Sequence, residues 1–153
     1  MAKRYWLMKS EPGTFSIDDL ERAKTTAWDG VRNYQARNFM RDQMQKGDGV
    51  LFYHSSCPVP GIAGFARVCS DAYPDPTQFD QRSKYYDDKS KPSTPRWFLV
   101  DIQFVKKLKD VIPLEVIKSN PALADMKLVQ RGQRLSVQPV TPAEWKAIVA
   151  MTG

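Results

Sequence analysis

A chain of 153 residues with 42% hydrophobic and 26% charged residues has the length and composition of one globular domain. This balance argues against an intrinsically disordered chain, and no apolar run approaches the roughly 20 residues that a membrane-spanning helix needs. The formal net charge of +6 makes an anionic partner such as a nucleic-acid backbone a natural expectation, although charge alone does not identify the partner.

Cysteine and histidine are scarce. Cys57 and Cys69 are too few for a disulfide framework and too far apart for a CxxC site, and His54 is the one histidine. Such a chain lacks the clustered ligands of a structural zinc, so we expect no metal and no cofactor. The N-terminus has no apolar run long enough for a signal peptide. We expect a cytoplasmic protein, and the absence of an extended basic tail favours a bacterial over a nuclear one.

The first third of the chain alternates short strands and helices. The pattern predicts a strand over residues 3–9, a helix over 17–24 and a longer helix over 34–46. Ser16 and Asn33 stand at the two helix starts, where a side-chain oxygen can cap the free backbone N–H groups. Between the helices, residues 28–30 (Trp-Asp-Gly) predict a turn.

The middle of the chain is richer in strands. Strands are predicted over residues 50–53, over 62–68 as the partner of the first, and over 98–105. The last of these alternates with a period of two and has one wholly apolar face. Residues 70–96 form a long segment rich in proline, tyrosine and charge, and loops of that length are usually functional or disordered.

A short helix is predicted over residues 113–120, stopped by Pro121, and a second helix begins after Thr141 with a capping box. The strands lie too close together in sequence for βαβ crossovers. We therefore predict an α+β fold, in which a small curled sheet or open β-barrel is flanked by short helices. No repeat or linker divides residues 1–153, so we expect a single domain.

An enzyme would have its chemistry at residues 54–57 (His-Ser-Ser-Cys). Neighbours on a strand point to opposite faces, so adjacency alone does not indicate a base beside its nucleophile. No GxSxG, HExxH or Gly-rich phosphate loop is present. The pattern favours a polar strand end with a half-buried histidine, and an enzyme of nucleotide or RNA metabolism using His54 is the alternative.

Aromatic residues carry more information. Trp28 and Tyr34 flank a turn, and Tyr85, Tyr86 and Trp97 lie in or beside the long basic loop. Rings interleaved with cations suit unstacked bases, because the rings stack on the base and the cations hold phosphate. For each of these aromatic residues, the alternative to base binding is a place in the hydrophobic core. A further alternative for the whole protein is an interaction module whose long loop engages an acidic partner.

Several segments of the chain resemble the EVE domain family. The matching segments are residues 9–12 (KSEP), 28–38 (WDGVRNYQARN), 47–48, 52–55 (FYHS), 62–64, Trp97 and 134–136. The resemblance covers essentially the whole chain. It implies a PUA-like fold, related to the YTH readers of methylated adenine in RNA and the SRA readers of modified cytosine in DNA. It also implies non-catalytic binding of a flipped-out or single-stranded modified base in DNA or RNA.

The resemblance further implies where the base would lie. The base-binding pocket is expected from Lys9, Ser10, Trp28, Asn33, His54, Ser55 and Trp97. The nucleic-acid backbone or pocket rim is expected from Arg32, Arg37, Tyr85, Tyr86, Arg131, Gln133, Arg134 and Ser136. Trp28 would stack on the base, with Ser10, Asn33 and Ser55 on its edge and Arg37, Arg131 and Arg134 on phosphates. The second aromatic wall is left open between Trp97, Tyr85 and Tyr86.

Overall fold

The computed structural model describes residues 3–132 and 135–152, in an α+β arrangement around a curled six-stranded sheet. The strands are β1 (Tyr5–Ser10), β2 (Thr25–Ala27), β3 (Gly49–His54), β4 (Gly61–Val68), β5 (Tyr73–Pro74), β6 (Phe98–Leu99), β7 (Asp101–Pro113) and β8 (Val137–Val140). The helices are α1 (Ile17–Ala23), α2 (Tyr34–Asn38), α3 (Leu114–Ser119) and α4 (Pro142–Ala150), with short 3₁₀ turns at Pro76–Phe79, Pro121–Leu123 and Lys127–Val129. The predicted fold class is confirmed.

The six-stranded sheet has the order β2-β7-β4-β3-β1-β8, and β5 and β6 form a separate two-stranded ribbon. β1 and β3 run parallel, with Tyr5 opposite Gly49 and Ser10 opposite His54. The prediction that the strands leave no room for a crossover was therefore wrong for this pair. The reason is that α1, β2 and α2 all lie between the two strands and together form the connection. The other neighbouring pairs are antiparallel.

Two edge strands have no strong sequence signal. β2 is three residues long, and β8 contains Pro139, which an edge strand tolerates because one side of it has no ladder to complete. The predicted strand over 98–105 is divided at Val100: β6 pairs with β5, and β7 pairs with β4 and continues to Pro113. The sheet is therefore wider, and its longest strand longer, than the sequence pattern predicts.

Both faces of the sheet are covered, which explains why β3 is an almost unbroken apolar run. One face packs Trp6, Met8, Val50 and Phe52 with Ile17 and Leu20 of α1 and Met40 of the segment after α2. The other face packs Leu7, Leu51, Tyr53 and Ile62 with Ile117 of α3 and Ile148 of α4. Alternate residues of β1 and β3 thus enter two separate cores.

The predicted helix over 34–46 begins as expected but ends early. Asn33 caps α2 by accepting a hydrogen bond from the Ala36 N–H, and residues Phe39–Gln43 continue as a π-helical turn. The carboxylate of Asp48, 3% exposed, then accepts hydrogen bonds from the Gln45 N–H and from Trp6 Nε1. These bonds hold the end of the helical segment against β1, so the chain turns there instead of extending the helix.

Candidate nucleic-acid interface

A cavity of about 530 Å³ opens beside the end of β1, where the turn after β2 meets the long loop. It is lined by Lys9, Ser10, Glu11, Thr14, Phe15, Thr26, Ala27, Trp28, Asp29, Gly30, Val31, Arg32, Lys84, Tyr85 and Ser136. Three aromatic rings and three cations are among these residues. The volume lies in the range of small-molecule sites, which is ample for one nucleobase.

Trp28 forms one wall of the cavity and also belongs to the core. Its backbone N–H donates to the Val100 carbonyl over 3.0 Å, which fixes the turn to the sheet. Its ring meets Phe52 edge-on at a centroid distance of 5.7 Å, and only 9% of the residue is exposed. Trp28 is therefore both a core residue and a cavity-lining residue, the two roles that the sequence left open for it.

Tyr85 is the aromatic residue that the long loop contributes to the cavity. Gly30 has a φ of +80°, and a Cβ built on it would lie 2.5 Å from Tyr85 Cζ, so the ring packs directly on the glycine backbone. The Arg32 guanidinium lies 5.5 Å from the ring centroid and its Nη2 donates to the Tyr85 carbonyl over 2.7 Å. The turn after β2 and Tyr85 are thereby joined into one unit.

Asp75 connects this turn to the loop. Its carboxylate accepts hydrogen bonds from the Gly30 N–H (2.8 Å), from Arg32 Nη1 (3.2 Å) and from Thr77. Burial alone would raise the pKa of Asp75, but these hydrogen bonds hold it below its ordinary value. The charged form of Asp75 is therefore favoured, and it supports the turn whose Gly30 and Arg32 line the cavity.

Gln78 organises the rest of the loop. Its side chain is fully buried; Nε2 donates to the carbonyls of Asp75 and Trp97, and Oε1 accepts from Ser90 Oγ and from the N–H groups of Arg96 and Trp97. One carboxamide therefore satisfies backbone groups at both ends of the loop. Residues 70–96, for which the sequence predicted a functional or a disordered loop, are therefore folded around the Gln78 side chain.

Trp97 and Tyr34 lie outside the cavity lining. Their rings stack at a centroid distance of 4.8 Å, and the Arg32 guanidinium lies 5.2 Å from the Trp97 centroid. Trp97 Nε1 donates to Asp87 Oδ2, and only 6% of the residue is exposed. Trp97 therefore has little free ring surface in this structure, and its predicted role as a pocket wall stays a prediction.

His54 and Ser55 lie beside Ser10 but are not among the cavity-lining residues. His54 Nε2 accepts a hydrogen bond from the Ile17 N–H over 3.1 Å, at the start of α1, and the Ser55 N–H donates to the Ser10 carbonyl. Burial lowers the pKa of His54, more than nearby Asp18 raises it, so the neutral ring is favoured.

The remaining predicted positions are spread around the cavity. Asn33 uses its carboxamide oxygen to cap α2, and Arg37 Nη1 donates to the Arg96 carbonyl over 2.7 Å. Tyr86 and Arg131 are exposed and do not line the cavity. Gln133 and Arg134 lie outside the described residues. Of the predicted set, the structure brings together Lys9, Ser10, Trp28, Arg32, Tyr85 and Ser136 around the cavity.

Sequence reasoning did not select several lining residues, including Phe15, Thr26 and Asp29. The sequence contained a feature that could have indicated Asp29 and Gly30, since both stand in the predicted Trp-Asp-Gly turn. It contained no such feature for Phe15, because a lone aromatic residue before a helix cap does not show which residues it will contact.

His54 should make stability depend on pH near neutrality. The folded protein binds a proton at His54 more weakly than the unfolded chain does. The contribution of His54 to the free energy of unfolding is therefore complete above the unfolded pKa of about 6.5, and it is lost as the pH falls toward the lower folded pKa. In His54→Gln the free energy of unfolding should decrease less as the pH falls through this range. Urea unfolding of both proteins at a series of pH values measures the difference, and parallel pH profiles would contradict the assignment.

An α+β fold around a curled sheet, with an aromatic and basic cavity beside the end of β1, defines this class of domain. The EVE domain family model matches residues 4–151, and the chain belongs to that family. Thymocyte nuclear protein 1 of Homo sapiens is 45% identical over 166 residues, which cover 96% of this chain and 73% of the relative. The predicted family is confirmed.

Solved structures agree closely with this fold. A crystal structure of a Pseudomonas syringae protein has a TM-score of 0.94 at 52% identity, covering 97% of this chain and 99% of that one. Human THYN1 protein, in a complex with 5-methylcytosine-containing DNA, has a TM-score of 0.91 at 45% identity, and the match covers 98% of each chain.

Within residues 3–132 and 135–152, no helix has the length and apolar character needed to cross a membrane. In the same described residues, no group of three or more His, Cys, Asp or Glu side chains is placed to hold a metal ion.

Proposed function

We propose that this protein binds a 5-methylated cytosine of DNA, flipped out or unpaired, without performing chemistry on it. The observation that carries the proposal is the cavity lined by Trp28, Tyr85 and Phe15 together with the cations Lys9, Arg32 and Lys84. Aromatic faces with neighbouring cations are the arrangement that unstacked bases require. The DNA complex of the human relative supports 5-methylcytosine as the base.

In this proposal Trp28 and Tyr85 contact the base and Lys9, Ser10 and Ser136 lie at its edge. Ser10 Oγ donates to the Phe15 carbonyl over 2.6 Å, which leaves its lone pairs as acceptors. Burial lowers the pKa of Lys9, whose Nζ lies 5.8 Å from the Tyr53 ring, so a negative or carbonyl oxygen would offset its partial desolvation. Extracting a base costs a few kcal/mol, so unpaired or disturbed sites should bind best.

The absence of catalysis is part of the proposal. His54, the residue that an enzyme would use, has its Nε2 engaged by the Ile17 N–H and stands outside the cavity lining. We also propose that residues 1–153 act as one domain, since both cores pack on the same six-stranded sheet. We further propose a bacterial, cytoplasmic protein, and the 52% identity with the Pseudomonas syringae protein supports the bacterial source.

The test compares two adjacent tyrosines. Fluorescence anisotropy would follow labelled duplexes that carry 5-methylcytosine or cytosine opposite an abasic site, at low and moderate salt. We expect the methylated duplex to bind more tightly, and Tyr85→Ala to weaken this binding roughly tenfold, because base–aromatic stacking contributes about 1–3 kcal/mol. Tyr86→Ala removes a neighbouring ring that does not line the cavity, and should bind as the unaltered protein does.

Binding that ignores methylation and disappears with salt would reduce the interaction to a basic surface and overturn the proposal. Equal losses in the two tyrosine variants would overturn the pocket assignment. The same titration with methylated RNA decides between the two nucleic acids: tighter RNA binding would contradict DNA as the partner. A pull-down insensitive to nuclease would instead favour the alternative in which the long loop engages an acidic protein.

A further inference from the structure

Asp29 lines the cavity, and within residues 3–132 and 135–152 no other residue donates a hydrogen bond to its carboxylate, which interacts with its own backbone N–H and at longer range with Arg32. Two carboxylates outside the lining differ: Asp75 accepts from Gly30, Arg32 and Thr77, and Asp87 accepts from Trp97 Nε1. Glu11 is the other carboxylate in the lining, but it lies on the turn after β1, away from the fixed turn that carries Asp29. The Asp29 carboxylate, in a ligand-sized cavity, is therefore available to a donor on the ligand.

The position of Asp29 is fixed by its neighbours. The Trp28 N–H donates to the Val100 carbonyl, the Asp29 N–H to the Ala27 carbonyl, and the Gly30 N–H to Asp75 Oδ2. Every backbone N–H from residue 28 to residue 30 is therefore engaged. A carboxylate on so constrained a turn can discriminate between ligands, because the turn resists the shift that would relieve a poor contact.

The nearest cation does not neutralise it. Arg32 is engaged with Asp75 at 3.2 Å, with Thr77 Oγ1 at 3.1 Å and with the Tyr85 carbonyl at 2.7 Å. Burial and the proximity of Asp75 raise the pKa of Asp29 above its ordinary value, more than Arg32 and the backbone N–H of Asp29 lower it. A hydrogen-bond donor brought by the ligand would offset this cost.

We infer that Asp29 accepts a hydrogen bond from the exocyclic amino group of the base, so that the cavity takes a 4-amino pyrimidine and rejects its 4-oxo counterpart. This inference rests on the proposed function. 5-Methylcytosine and thymine share the methyl group and the 2-carbonyl and differ at positions 3 and 4. Position 4 carries an amino donor in 5-methylcytosine and a carbonyl acceptor in thymine, and N3 is an acceptor in the first and an N–H donor in the second. Stacking on Trp28 and Tyr85 cannot separate them, whereas a carboxylate attracts the amine and repels the carbonyl.

The experiment uses the full chain and three duplexes with 5-methylcytosine, cytosine or thymine opposite an abasic site, so that base pairing does not differ between them. The unaltered protein should bind 5-methylcytosine about tenfold or more tightly than thymine. In Asp29→Asn the carboxamide both donates and accepts, so the two affinities should approach each other. The Asp29 side chain accepts no hydrogen bond from another described residue, so the variant should fold, and its thermal unfolding would verify this.

Asp88→Asn provides the matched control, because it removes the same charge from an exposed site in the loop, outside the cavity lining. It should shift all three affinities together and leave their ratios unchanged. Equal binding of thymine and 5-methylcytosine by the unaltered protein, or an unchanged ratio in Asp29→Asn, would overturn the inference. The ratio of 5-methylcytosine to cytosine tests the proposed function separately, since Asp29 meets the same amino group in both bases.

Discussion

Replacing Gln78 by leucine is expected to release the loop of residues 70–96 and to lower the free energy of unfolding by at least about 3 kcal/mol. The leucine has a similar volume but leaves the buried Trp97 N–H without its partner. It also removes one of two hydrogen bonds from the Trp97 carbonyl, the Asp75 carbonyl and the Arg96 N–H. A buried group left unsatisfied costs about 1–3 kcal/mol, and each further hydrogen bond lost costs about 0.5–1.5 kcal/mol. Because Tyr85 belongs to this loop, base binding should be lost as well.

Hydrogen exchange distinguishes this loss from general unfolding. Amides of the loop should lose protection in Gln78→Leu, while those of β1, β3 and β4 keep it. Gln81→Leu places the same side chain at an exposed position of the same loop and should leave both regions protected. Uniform protection in Gln78→Leu would show that the carboxamide does not organise the loop.

Trp28→Ala should remove both a core contact and the proposed stacking surface. Truncating a buried tryptophan typically costs about 3–5 kcal/mol of stability, and the ring contact with Phe52 at 5.7 Å would be lost. Methylation-dependent binding should disappear even at a temperature where the variant is folded. Denaturant unfolding and the anisotropy titration measure the two effects separately.

Trp145→Ala provides the control for the stability loss. This tryptophan stacks on Tyr5 at 4.5 Å and contacts Phe65 in the core on the opposite face of the sheet. Its removal should destabilise the protein without changing the affinity of the folded fraction for methylated DNA. If Trp28→Ala, once folded, bound as well as Trp145→Ala, the proposed stacking role of Trp28 would be wrong.

The helix starts were predictable because their determinants are local. Ser16, Asn33 and Thr141 each accept a hydrogen bond from an N–H group three residues ahead, and a four-residue pattern contains all the necessary information. An apolar run likewise located β3, the segment predicted as its partner is β4, and apolar alternation located part of β7. These features depend on neighbours in sequence, so no knowledge of the tertiary structure was needed.

The pairing of distant strands was beyond such patterns. The parallel contact of β1 with β3 and the antiparallel contact of β1 with β8 join segments far apart in the chain. Nothing in the short sequence of β8 distinguishes it from a loop, because its ladder is completed only by β1. The backbone pairing, rather than any local preference, makes this segment a strand.

The sequence by itself determined the family, the fold class and the basic, aromatic character of the surface, since these depend on residue types and their spacing. Only the tertiary structure decided which of those residues line one cavity: it placed Tyr85 on Gly30 and added Asp29, while the Trp97 ring stacks on Tyr34 and donates to Asp87. The physical reason is that a side chain can make one set of contacts at a time. Whether a ring or an amide faces the cavity depends on which distant groups have already engaged it.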